Sequence, residues 1–124
     1  MTATADDYRG ALEAVERILN RGGDADDVLR AVVAVLADRF DHYPWVAISF
    51  VEDATFVVGP SRGAQSGAVR LEAPVSFQGQ VVARLWVETA KPDDQDAGFL
   101  ERVATLISPY CLVGWDTGGE AWTP

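Results

Sequence analysis

The chain has 124 residues and a mass of 13.4 kDa, the size of one domain on the usual span of roughly 100–200 residues. Its 48% hydrophobic and 23% charged residues exclude a disordered polar chain. With 10 Lys+Arg against 19 Asp+Glu, the net charge of −9 opposes docking on nucleic-acid phosphates or on an anionic membrane.

No apolar run approaches the ~20 residues of a membrane helix. The N-terminus, MTATADDYRG, lacks the basic start and apolar stretch of a signal peptide. The lone cysteine, Cys111, excludes an intrachain disulfide, and with the lone histidine, His42, it cannot build a His/Cys zinc site within one chain. No cofactor is therefore expected. A single cysteine fits a reducing compartment, so a cytoplasmic location is expected.

Residues 4–20 read as an amphipathic helix, with Tyr8, Ala11, Leu12, Val15, Ile18 and Leu19 at helical spacing and Thr4 as N-cap. Asn20-Arg21-Gly22-Gly23 stops it. Asp24 then caps a second helix over about residues 25–40, whose stripe is Val28, Leu29, Val32, Val33, Leu36 and Phe40. Ala31 and Ala34 make its other face apolar too, which places it in a sandwich or an interface.

Asp41-His42-Tyr43-Pro44 breaks the helix. Two β-rich runs follow, Trp45–Glu52 and Thr55–Gly59, and the link Asp53-Ala54 makes them a hairpin. The stretch from Gly59 to Gly67 reads as a loop. Two more strands, Ala68–Phe77 and Gln80–Thr89, join through a tight turn at Gln78-Gly79. An acidic turn, with Asp93 or Asp94 as cap, leads into a last helix whose stripe includes Phe99, Leu100, Val103, Leu106, Ile107, Tyr110 and Cys111. Pro109 kinks or ends it. One domain thus spans residues 4–113, and 114–124 form a tail.

The order α-α-β-β-β-β-α predicts an α+β fold, a four-stranded antiparallel sheet with helices packed on one face. Alternation assigns Val46, Ile48, Phe50, Val69, Leu71, Val81, Ala83, Leu85 and Val87 to the helix side.

This order and several local stretches resemble the GAF domain family over roughly residues 11–113. ALEAVERILNRGGDADDVLRAVVAVLADRF is similar to the family's opening helix pair, and HYPWVAISFVEDATFVVGPSRG to its first hairpin. The hairpin is most like that of the branch that includes free methionine-R-sulfoxide reductases. APVSFQGQVVARLWVETAKPDDQDAGFLERVATLI is similar to the closing hairpin, acidic turn and final helix. The resemblance implies a sensory or regulatory module, often dimeric through its terminal helices.

The chain departs from that family in one place. Only Pro60–Ala68 connects the second and third strands, where relatives carry a long excursion that roofs the ligand pocket. The redox cysteines of the reductase branch lie largely in that excursion and have no counterpart here. The cyclic-nucleotide signature and the bilin-anchoring cysteine of other relatives are also missing. The resemblance therefore points to a non-enzymatic module, with a sulfoxide reductase as a remote alternative.

Individual residues support the same reading. Cys111, on a helix stripe with no activating partner in sequence, reads as a small buried hydrophobe. His42 reads as a surface turn histidine. Gly59-Pro60-Ser61-Arg62-Gly63 lacks the Lys-Ser/Thr pair and following helix of a P-loop and reads as a turn.

The sheet's outward face is the candidate surface. Trp45, Ser49, Arg62, Arg70, Arg84 and Trp86 are the residues assigned to binding. Arg62, Arg70, Arg84 and Lys91 collect on the strands of an otherwise acidic chain. Two readings stand: a shallow site for an anionic ligand or acidic peptide, or a solvated face on which Arg and Glu pair. Two tryptophans on a face without a roof favour a partner. The partners expected are a second copy of the chain, a protein, or a small anionic ligand. Trp115 and Trp122 suggest that the tail folds back or crosses to a second chain.

Overall fold

The structure, a computed structural model, describes residues 4–112. The expectations for the tail, including Trp115 and Trp122, lie outside the described residues. Three helices, α1 (Ala5–Arg21), α2 (Ala25–Arg39) and α3 (Asp94–Ile107), flank four strands in the order expected. The strands are β1 (Trp45–Glu52), β2 (Thr55–Gly63), β3 (Val69–Phe77) and β4 (Gln80–Thr89). Pro109 does end the last α-helix, and the chain continues as a 3-10 turn, Ser108–Leu112.

The sheet is antiparallel throughout, with spatial order β2-β1-β4-β3. Both hairpins close through two-residue turns at positive φ, Asp53 and Ala54 (48° and 66°) and Gln78 and Gly79 (52° and 79°). That backbone has the hand which matches the twist of the flanking strands. The helices α2 and α3 cover one face of the sheet, α2 over β1 and β2, and α3 over β3 and β4. Helix α1 packs on α2 and α3. Val46, Ile48, Ala83, Leu85 and Val87 are fully buried on that face, beneath Val32, Leu36 and Val103.

Two of the residues assigned to the helix side, Val69 and Val81, are exposed instead. Each sits near one end of its strand, and a register shift between Val75 and Ser76 disturbs the pairing next to Val81. Strand β2 runs to Gly63, four residues past its expected end at Gly59. Between Ser49↔Val58 and Ala47↔Ser61 it holds one residue more than β1, a bulge at Gly59-Pro60. At Gly63, φ is 103° and a Cβ would overlap the Pro44 carbonyl oxygen, which accepts from the Ala64 N–H at 3.0 Å. Glycine is what lets the chain leave β2 so close to the start of β1.

The helical layer is tied by one buried carboxylate. Thr4 and Asp7 form a capping box on α1, and Asp93 and Asp96 form another on α3. Asp96 does more than cap. Its Oδ2 accepts the Asp93 N–H at 2.8 Å, while its Oδ1 accepts the hydroxyls of Tyr8 (2.7 Å) and Tyr43 (2.5 Å). The Nε2 of His42 lies 3.1 Å from the same oxygen and donates to it, since a carboxylate only accepts. His42 is thus mostly buried against Asp96, not a surface residue as its turn position suggested. The rings of Tyr8, Tyr43 and Phe99 surround Phe40 with centroids 5.1–5.3 Å away.

Burial pushes the Asp96 carboxyl up, but the bonds from Tyr43, Tyr8, His42 and the Asp93 backbone outweigh burial and hold it below its ordinary value. Burial, then the bond to Asp96, raises both tyrosines well above theirs, so they remain donors.

The unfolded chain takes up the Asp96 proton more readily than the folded one. The carboxylate's contribution is complete above its unfolded pKa of about 3.9 and is lost as pH falls through the folded value. Asp96→Asn should lower stability by roughly 1–3 kcal/mol near neutral pH. In urea denaturation across a pH series, that gap should narrow below about pH 4. A gap that stays constant down to acid would contradict the assignment.

Candidate functional site

The outer face of the sheet carries the assembled polar and aromatic groups. In β1 the alternation turns Trp45, Ala47 and Ser49 outward, and in β4 it does the same for Arg84, Trp86 and Glu88. In β3 the outward residues are Arg70, Glu72 and Pro74. Trp86 sits at the centre of this face, opposite Ala47 on one side and Glu72 on the other.

The face is not open. Trp86 is only 2% exposed, and its Nε1–H donates to the Oγ of Ser49 at 2.9 Å. The Arg70 guanidinium lies over the indole, 4.1 Å from its centroid, and Trp45 tilts against it with ring centroids 5.9 Å apart. Arg84 spreads over the Phe56 ring at 4.3 Å, with Trp86 further off at 6.0 Å. Glu72 bridges the two arginines, 2.9 Å from Arg84 and 3.7 Å from Arg70.

The loop after β2 contributes as well. Glu88 is 5% exposed, and its Oε1 accepts the N–H groups of Ser66 (2.7 Å) and Gly67 (3.1 Å) and the Ser66 hydroxyl (3.3 Å). The short loop still reaches this end of the face. Its backbone amides are drawn down onto Glu88, beside Trp45. A buried carboxylate needs such donors, and the alternation of β4 marks Glu88 as outward without naming them.

Of the six residues assigned from sequence, five share this face: Trp45, Ser49, Arg70, Arg84 and Trp86. Arg62 does not. The bulge at Gly59-Pro60 reverses the alternation of β2, so Arg62 pairs opposite the inward Val46 and reaches Asp38 of α2 at 3.4 Å. Sequence reasoning missed the Glu88–loop clamp and the role of Phe56 beneath Arg84. Two donors on the face lack partners among the described residues, the buried Nε1 of Trp45 and Nε of Arg84.

Cys111 lies on the other side of the sheet, in the core beneath the helices. Burial pushes its thiol up to about 12, which leaves almost no thiolate at neutral pH. A cleft of about 390 Å³ between α1 and α3, lined by Tyr8, Arg9, Leu12, Gln95, Phe99 and Arg102, is separate from the sheet face. Among the described residues, no cluster of His, Cys, Asp or Glu could hold a metal ion, and no helix is long and apolar enough to cross a membrane.

The Ser49–Trp86 bond gives a direct test of this packing. Ser49→Ala strands a buried indole N–H and should cost roughly 1–3 kcal/mol. Trp86→Phe removes that donor, so in its background Ser49→Ala should cost much less. Denaturant melts of the four proteins measure the cycle; additive losses would show that the bond contributes nothing.

The sequence matches no family profile and no curated protein. Solved structures do match it. The GAF domain of a phosphoenolpyruvate-protein phosphotransferase from Coxiella burnetii superposes with a TM-score of 0.78 at 11% identity, over 94% of this chain and 99% of that one. The corresponding GAF domain from Acinetobacter gives 0.73 at 13%, over 94% and 98%. Free methionine-R-sulfoxide reductase from Neisseria meningitidis, solved with its substrate, gives 0.76 at 17%, over 94% and 96%. At these identities the likeness speaks for architecture. The superposition extends over nearly the whole of this chain for GAF domains and reductase alike, and this chain has the GAF-domain fold.

Proposed function

We propose that this domain is a non-catalytic regulatory module that works through protein–protein contacts as a homodimer. The observation that carries the reading is the occupation of the outer sheet face by the protein's own Trp86 and Arg70. Acid–base or nucleophilic chemistry needs a free group within reach of a substrate. Here Glu72 is held by two arginines, Glu88 by loop amides, and Ser49 by the indole. The solved neighbours include reductases of free methionine-R-sulfoxide. The thiol of this chain is buried on the opposite side of the sheet, an environment that favours the inert form. Exposed Phe56, Val57 and Val58 supply apolar surface for a contact.

A second reading rests on the two unpartnered donors. The buried Nε1 of Trp45 and Nε of Arg84 would be satisfied by a small anion entering the face, with Arg70 and Arg84 as its guanidinium partners.

Light scattering over a concentration series should give a mass that rises above 13.4 kDa. Free methionine-R-sulfoxide supplied with a thiol reductant should not be turned over. Turnover abolished by Cys111→Ser would overturn the non-catalytic reading, and a monomer at every concentration would overturn the homodimer. For the second reading, phosphate and small carboxylates should raise the melting temperature in proportion to the logarithm of their concentration. That rise should be lost in Arg84→Met, and no rise in the wild type would sink it.

A further inference from the structure

We propose that a second copy of this chain pairs with the edge of β2 that is open among the described residues, strand to strand, about a two-fold axis at Val57. The inference rests on the homodimer reading above and names the surface that makes it. It places the contact on the sheet, away from the terminal helices.

Among the described residues the sheet has two edges, β2 and β3, and they differ. On β3, the outward positions are Arg70, Glu72 and Pro74. Charges and a residue without an N–H are the usual devices that keep an edge from pairing. On β2, the stretch Thr55–Gly59 carries neither a charge nor a proline. It presents Phe56, Val57 and Val58 at 42%, 40% and 47% exposure, three consecutive residues of high strand propensity.

The hairpin fixes which backbone groups face outward. Glu52 and Thr55 flank the two-residue turn and exchange both bonds of their pair. Alternation then turns the N–H and C=O of Phe56 and Val58 away from β1. An antiparallel partner in the same register matches this spacing. Phe56 falls opposite Val58 of the partner subunit, and Val58 opposite Phe56 of the partner subunit. Each pair closes two backbone hydrogen bonds. Val57 falls opposite its own copy in a non-hydrogen-bonded pair.

Side chains fit the same register. Phe56 and Val58 are on the outer face and Val57 on the helix side, so every cross-strand pair is apolar. The register also brings the acidic hairpin tip, Glu52 and Asp53, toward Arg62 of the partner subunit, twice by symmetry; within each copy that arginine reaches Asp38 at 3.4 Å and stays half exposed, open to a second carboxylate. That complementarity favours a second copy over an arbitrary strand and offsets part of the repulsion between two chains of charge −9. The bulge at Gly59-Pro60 ends the pairing. The shared stretch is short, well under the ~800 Å² per partner of a standard interface, so the dimer should depend on concentration.

The test is register-specific cross-linking joined to molar mass. Val57→Cys places two thiols directly opposite each other, within disulfide reach. Phe56→Cys and Val69→Cys do not, and the native Cys111 is buried. Under mild oxidation Val57→Cys should give a covalent dimer at several times the yield of the other two. Val57→Lys should weaken self-association about tenfold or more, while Val69→Lys leaves it unchanged. Equal cross-linking at all three positions would overturn the proposal. So would a wild-type dimer indifferent to Val57→Lys, which would place the contact on the helices and leave the homodimer reading standing. A monomer throughout would overturn both. Cross-linking at position 57 that appears only after removal of residues 113–124 would assign the edge to the tail instead.

Discussion

The helical layer depends on one buried carboxylate. Asp96 sits where α1, α3 and the link between α2 and β1 meet, and each of the three sends it a donor. A lone charge there would be costly to bury. Four donors make burial affordable only when all three segments are docked, so the bond network acts as an assembly check. The aromatic rings around Phe40 would tolerate several arrangements; the hydroxyls of Tyr8 and Tyr43 tolerate one.

The opposite face of the sheet follows a different rule. Beneath the helices, burial comes from aliphatic packing. On the outer face it comes from flat, charged groups stacked on flat, apolar ones, with Arg70 on Trp86 and Arg84 on Phe56. Guanidinium planes are weakly hydrated and can lie on an indole while still meeting Glu72 at their edges. A domain of GAF fold can thus bury the centre of its outer sheet face without a second helical layer, using side chains from all four strands.

Much of this was legible in the sequence. Helix spacing and turn residues marked the three α-helices and four strands, because each depends on local chemistry that the chain displays in order. The 3-10 turn Ser108–Leu112 was not marked, and Asp24 stands at the N-cap of α2 without a capping bond from its side chain. The strands β1 and β4 were bounded to the residue, since each is a β-rich run that ends in a turn. Long-range consequences were not legible. Asp96 sits in an acidic run, DDQD, where nothing separates the buried member from its solvated neighbours. Its partners lie 88, 54 and 53 residues away. Arg62 was grouped with the outer face for its charge, in a stretch that read as a loop; past the bulge at Gly59-Pro60 that stretch continues β2 and turns Arg62 to the helix side. The packing around Trp86 brings Trp45, Ser49 and Arg70 together, and no short window of sequence contains all three.

The link from Ala64 to Ala68 is tied to the sheet through Glu88 and, at its first residue, to the Pro44 carbonyl. The entropy of closing a loop grows only slowly with its length, by about 0.6 kcal/mol per doubling. Length at this point is therefore a nearly independent variable of the architecture. A lineage could extend it into a cover over the sheet, or trim it back, while strand register and helix docking stay as they are. What changes between such relatives is how deep a chamber the same scaffold encloses.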